Sequence, residues 1–195
     1  IAARETYDHI SNGMMCSGAE LGLGAQANGI IVLGDEVADK VGEDARPIIG
    51  LHDTDFDVNI TPDRGYALSA RGLTREIASA FDLTFTDPAA DPQVAAVDTS
   101  QVHAAQESLI DVTVDDSTRA RRFGLAKVEG INPAAKAPFW MQRELMLSGI
   151  RSVNAATDVT NYVMLLLGQP MHAFDADKIS GNLHVRNASA GEEFE

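Results

Sequence analysis

Apolar residues recur along this chain in short bursts, and the spacing inside each burst predicts the element it forms. Ile30, Ile31, Val32 and Leu33 run together between Gly29 and Gly34, the pattern of a brief strand between turns. Phe56, Val58 and Ile60 alternate with Asp55, Asp57 and Asn59, which is the period of a half-buried strand. Thr61-Pro62-Asp63-Arg64-Gly65 then breaks that strand. From Leu68 to Leu83 the apolar positions Leu68, Leu73, Ile77 and Phe81 return mostly at helical spacing, with Arg71, Arg75 and Glu76 among the polar ones. An amphipathic helix is predicted there.

Residues 86–108 break the pattern. Asp, Ala, Pro, Gln, Ser and Thr dominate, Pro88 and Pro92 fall inside, and large apolar residues are nearly absent, so the stretch reads as a linker. Beyond it Ile110, Val112 and Val114 alternate with polar neighbours, and Phe123 to Val128 offers a second strand-like run. Pro138 opens a helical stretch through Met141, Leu145 and Leu147, and Gly149 closes it. Thr157 to Leu167 reads as another helix, with Asp158 as its cap, Val159, Tyr162, Val163, Leu166 and Leu167 on its apolar side, and Gly168 at its end. Leu183 and Val185 suggest a last strand. The pattern as a whole is α+β: a small mixed N-terminal unit over 1–50, a strand-turn-helix segment over 51–85, the linker, and a mixed sheet-and-helix domain over 109–195.

Composition narrows the function. A net charge of −14 over 195 residues disfavours a surface built to wrap phosphate along its length. Cys16 is the sole cysteine, so no internal disulfide can form, and a thiol-only chain suits a reducing cytoplasm. No apolar run reaches bilayer length, and Ile1-Ala2-Ala3-Arg4 lacks a signal pattern. The expectation is a cytoplasmic protein with no membrane contact. A first residue other than Met and an abrupt close at Gly191-Glu192-Glu193-Phe194-Glu195 suggest that both ends are cut from something longer.

Chemistry concentrates late in the chain. Asp158-Val159-Thr160-Asn161-Tyr162-Val163-Met164 is followed by Gly168-Gln169-Pro170-Met171-His172-Ala173-Phe174-Asp175. If the helix starts near Asp158, Thr160 and Asn161 fall in its first turn, where backbone N–H groups lack partners and a hydroxyl and an amide can reach a polar ligand. The Gly-Gln-Pro turn then carries the imidazole of His172 back after the helix, which is the minimum for a site that binds and hydrolyses a polar substrate. The plain alternative is that Thr160 and Asn161 are helix-start residues and His172 a structural side chain. His172 with Asp175 is too small a set for a metal site.

These two stretches together resemble the editing-domain signature of the bacterial phenylalanyl-tRNA synthetase beta subunit, and the likeness extends back through Gly149-Ile150-Arg151 and Asn154. Gly13-Met14-Met15-Cys16-Ser17 with Glu20-Leu21-Gly22-Leu23 is similar to the end of that subunit's oligonucleotide-binding-type barrel. Thr61-Pro62-Asp63-Arg64-Gly65 with Leu68-Ser69 and Arg71-Gly72-Leu73-Thr74-Arg75-Glu76 is similar to the segment after it. Asp63, Tyr66 and Ser152 depart from the residues usual at those places.

The resemblance implies a partner alpha subunit that performs ATP-dependent charging, with ATP and magnesium needed by the whole synthetase and no cofactor held by this segment. It implies that the beta subunit hydrolyses tyrosine wrongly attached to tRNA(Phe), because an aromatic pocket excludes poorly a near-isostere that adds one hydroxyl. Thr160 and Asn161 then contact the terminal adenosine or the aminoacyl ester at the tRNA 3′ end, and His172 orients substrate or water or acts as general base. Gln169 to Phe174 forms one wall, and Gln169 and Met171 join the substrate-binding set, although Met171 and Phe174 are better suited to inward packing. The family's glutamate for the tyrosine hydroxyl lies later than residue 195, so this segment alone is expected to be inactive. The rival reading is a non-catalytic assembly or tRNA-binding module of the same synthetase.

Overall fold

The computed structural model describes residues 3–23, 29–92, 110–120 and 122–193. Most of the segment that reads as a linker, residues 93–108, lies outside them. Helices and two small sheets give a mixed α+β architecture, as the pattern predicts. The chain divides into two compact units, one formed by Ile1–Pro88 with Pro133–His172 and the other by Ala89–Asn132 with Ala173–Glu195.

The first unit begins with a hairpin of β1 (Arg4–Thr6) and β2 (His9–Ser11), paired antiparallel with Glu5 opposite Ile10. Tyr7 and Asp8 connect them with φ of 51° and 59°, the left-handed pair that a two-residue turn needs to match strand twist. A single helical turn, α1 (Ala45–Ile48), follows. The strands expected at 30–33 and 56–60 do not form. Alternation shows only that a segment suits a half-buried surface, and among the described residues neither run has a ladder partner to satisfy its backbone. Ile31 makes one bond, its N–H donating to the Cys16 carbonyl.

The helix predicted from Leu68 appears as α2 (Ala70–Ala80), capped by the Ser69 hydroxyl, which accepts from the Gly72 N–H at 3.1 Å. Gly72 is there for space. A Cβ at this position would lie 1.8 Å from the backbone carbonyl oxygen of Tyr66, because the preceding 3₁₀ turn (Pro62–Ala67) folds directly onto the helix. Replacing a mid-helix glycine by alanine ordinarily gains about 1 kcal/mol. Here Gly72→Ala is expected to lose about 2 kcal/mol by overpacking, seen as faster amide exchange across α2.

The core of this unit is made by α3 (Phe139–Leu147) and α4 (Ala155–Leu167). Met141 and Leu145, one helical turn apart, are buried with Ala137, and Ile150, Tyr162 and Leu165 pack against them. Leu145 is fully enclosed, which at ordinary burial energies contributes about 2 kcal/mol. Trp140 meets the Tyr162 ring edge-on, with centroids 5.3 Å apart at 84°, an arrangement favoured by the ring quadrupoles. Pro138 sits at the N-cap of α3 rather than inside its first turn. Another side of α4 packs on α2, and Gly168, in the left-handed conformation with φ 74°, closes α4 beside the Ser69 side chain.

In the second unit β3 (Val112–Val114) pairs in parallel with β4 (Leu183–Val185), with Thr113 opposite His184. The strand expected over 123–128 is absent; no neighbouring strand among the described residues offers it a ladder. Beyond β4, Arg186 forms an ion pair with Glu192. The Arg186 guanidinium, then the Ser189 N–H, hold the Glu192 carboxyl down to about 2. A depressed carboxyl pKa means the ion pair is intact at neutral pH and dissolves only as pH falls towards about 2. Carboxyl-resolved NMR should place the Glu192 midpoint there, and Arg186→Ala should return it towards the ordinary glutamate range.

Candidate functional site

The site is built on the start of α4, and its anchor is Asp158, the residue expected to cap that helix. Asn154 holds the capping role instead: its side-chain oxygen accepts from the Thr157 N–H at 3.0 Å, and the helix begins at Ala155. Asp158 lies inside the helix, completely buried. Its two carboxylate oxygens accept from the Ser152 hydroxyl at 2.7 Å and from the Val153 N–H at 2.9 Å. Both Asn and Asp cap well, and they stand four residues apart, so local preference left the choice open. Burial of the carboxylate against the incoming loop decided it.

This shift moves the candidate ligands. Thr160 and Asn161 stand in the second turn, not the first, so their own backbone N–H groups lie past the helix's unpaired first four. The Thr160 hydroxyl donates to the Thr157 carbonyl at 2.8 Å, the back-bonding habit of threonine inside helices. Both residues are half-buried. Gln169, Met171 and His172 follow the opposite end of α4, after about 12 Å of helical rise between Thr160 and Gly168.

The segment after Gly168 has no regular structure, and Gln169, Met171 and His172 are all exposed on it. Gln169 Nε2 points along its own chain, 3.4 Å from the Pro170 carbonyl. Met171 and Phe174, expected to pack inward, are 49% and 48% exposed. Met171 lies on irregular backbone beyond the Gly168 cap, outside the cluster that α3 and α4 bury. Asp175 is engaged locally: it accepts from the Asp177 N–H and pairs with Lys178 at 3.3 Å.

An open cleft of about 350 Å³ lies elsewhere in this unit, lined by Asp53, Thr54, Asp55, Glu144, Leu147 and Ser148. None of the candidate site residues Thr160, Asn161, Gln169, Met171 and His172 borders it. Arg143, whose guanidinium pairs with both Asp53 and Glu144, is the cation that holds those acids together. No group of three or more His, Cys, Asp or Glu is arranged to hold a metal among the described residues.

Likeness to known proteins gives this geometry its context. Residues 119–195 match the B3/4 domain family, and that match contains Asp158, Thr160, Asn161, Gln169, Met171 and His172. The whole chain aligns with the phenylalanine–tRNA ligase beta subunit of Corynebacterium glutamicum at 66% identity over 195 residues. Along its whole length the chain is similar to one segment of phenylalanine–tRNA ligase beta subunits. The same is seen with the beta subunit of Corynebacterium diphtheriae, 67% identical over 196 residues, and with that of Thermobifida fusca, 45% identical over 195. All of this chain is covered in each case, and it spans 23%, 23% and 22% of those beta subunits.

Within this family likeness, the feature that residue-by-residue reading missed is the brace of Ser152, Val153 and Asn154 on α4. Its signal was present in the sequence as Asn154-x-x-x-Asp158 ahead of an apolar helix. No helix among the described residues is long and apolar enough to cross a membrane.

Proposed function

We propose that this chain is the part of a phenylalanine–tRNA ligase beta subunit that begins the editing site, and that the whole synthetase hydrolyses tyrosine from mischarged tRNA(Phe). The observation that carries this reading is the 66% identity along the entire chain to such a subunit, together with the B3/4 match that holds every candidate residue. In this reading His172, exposed on an open segment, is accessible to the aminoacyl ester and orients water or accepts its proton. Asn161, Thr160, Gln169 and Met171 contact the substrate end, with Thr160 releasing its intrahelical bond to do so. The alpha subunit, ATP and magnesium belong to the charging reaction. The tRNA 3′ end is the substrate here, and the cytoplasm the compartment.

The purified whole synthetase is expected to release tyrosine from tyrosyl-tRNA(Phe) far faster than the ester hydrolyses by itself. A rate no greater than the spontaneous one would retire the reading. One observation favours the rival, a non-catalytic assembly or tRNA-binding module: the Thr160 hydroxyl is already satisfied by the Thr157 carbonyl. Editing that persists undiminished after His172 is replaced would decide for that rival.

A further inference from the structure

The chain carries a strongly acidic balance, with 29 Asp and Glu against 15 Lys and Arg. One stretch reverses it. Between Ser117 and Val128 stand Arg119, Arg121, Arg122 and Lys127, with no acidic residue among them. Elsewhere the arginines are mostly used internally: Arg46, Arg64, Arg71, Arg143 and Arg186 each form an ion pair with a carboxylate. Lys127 is paired with Glu129. Arg119 and Arg122 are exposed, and among the described residues neither meets a carboxylate, despite the excess of acids. Arg121 lies outside the described residues.

The base of this stretch is held in place. Asp115 donates its N–H to the Val185 carbonyl, extending the β3/β4 pairing, and its carboxylate lies 2.7 Å from His184 Nε2. The Asn187 amide donates to the Ser117 carbonyl at 3.1 Å. Asp115 is therefore tied to β4, and the arginines follow from an anchored turn. At physiological ionic strength charges further away than about 8 Å are largely screened, so the acids that act on the stretch are the ones at its edges, and of these Glu129 is paired with Lys127 and Asp116 bounds the positive field on the other side. Phe123, 43% exposed, lies next to Arg122 in the chain.

We infer that Arg119 and Arg122 form a phosphate-binding patch for single-stranded RNA, with Phe123 offering a face for a base. Guanidinium groups match phosphate oxygens with two parallel hydrogen bonds. An exposed aromatic ring beside such cations is the combination that takes unpaired nucleotides with little regard to sequence. The surrounding acidity keeps the binding surface short, which suits the end of a strand better than a duplex. The inference rests on the proposed editing reading for the identity of the RNA, a tRNA end, but not for the existence of the patch.

The test measures binding of uncharged tRNA(Phe) to the whole synthetase over a salt series, so it does not depend on any hydrolysis. Removing one protein–phosphate interaction with a single strand lowers the slope of log affinity against log salt by about 0.7. The double variant R119Q/R122Q is expected to weaken binding several-fold at low salt and to flatten the slope by about 1.4, the sum for two such interactions. R119K/R122K keeps both charges and should recover most of the slope. An unchanged slope in the glutamine variant overturns the inference. So does a lysine variant as weak as the glutamine one, which would show that the arginines support the fold or bind a protein surface by shape. Normal binding to wild-type synthetase that lacks editing, with the slope still flattened in the glutamine variant, would leave the patch standing and remove only the editing reading.

Discussion

On the proposed editing reading, His172→Ala in the whole synthetase is expected to lower the rate of tyrosine release from tyrosyl-tRNA(Phe) by about 10²-fold or more, the ordinary worth of a positioned proton-transfer group. Phenylalanine charging is expected to proceed as before. The expectation follows from where the imidazole stands: exposed on the irregular segment after α4, past Gly168 and Pro170, where its loss removes a chemical group without opening the α3/α4 core. The measurement is single-turnover deacylation beside steady-state charging. His172→Gln separates the two roles open to the imidazole. A side chain that hydrogen-bonds but does not titrate near neutrality should restore much of the rate if His172 only orients substrate, and little of it if His172 takes a proton from water. Deacylation at the wild-type rate in the alanine variant would remove His172 from the mechanism altogether.

Asp158→Ala should destabilise the start of α4 by about 3 kcal/mol, from the unsatisfied groups and the space left behind. The carboxylate is fully buried and receives two hydrogen bonds, one from the Ser152 hydroxyl and one from the Val153 N–H. A hydroxyl can turn to another acceptor, but a backbone N–H cannot. Asp158→Asn keeps the shape and one acceptor oxygen for Val153, while its amide can donate to the Ser152 oxygen. Its cost should be about 1 kcal/mol. Hydrogen exchange in the full-length subunit reads this locally: the amides of Val153 and of the first turn of α4 should exchange faster in the order Asn, then Ala. Asn as damaging as Ala would mean that the negative charge, rather than the hydrogen-bond pattern, holds the loop. Because Thr160 and Asn161 ride on the next turn, Asp158→Ala should also slow deacylation, with no change in the residues proposed to touch substrate.

The helices α2, α3 and α4 were legible from the helical spacing of their apolar residues and, for α3 and α4, from the glycine after each, while α1 and the start of α4 were not. Those signals are local: they concern backbone groups and side chains within one turn of each other. The late strands at 112–114 and 183–185 were also visible by alternation. The strand readings at 30–33 and 123–128, from apolar runs, and at 56–60, from alternation, failed, since a strand exists only through a partner, and no local feature records whether one is available.

The candidate site divides along the same line. Sequence alone singled out the candidate residues Thr160, Asn161, Gln169, Met171 and His172, and the order of its motifs carried the likeness to the phenylalanine–tRNA ligase beta subunit. Tertiary structure decided that α4 starts at Ala155, that Asp158 is a buried brace rather than a cap, and that Met171 and Phe174 face outward. The physical reason is that Asn154 and Asp158 are nearly equal as caps over a few residues of chain. The tie is broken by which carboxylate or amide the Ser152–Val153 loop covers, and that depends on packing between segments that the local code does not describe.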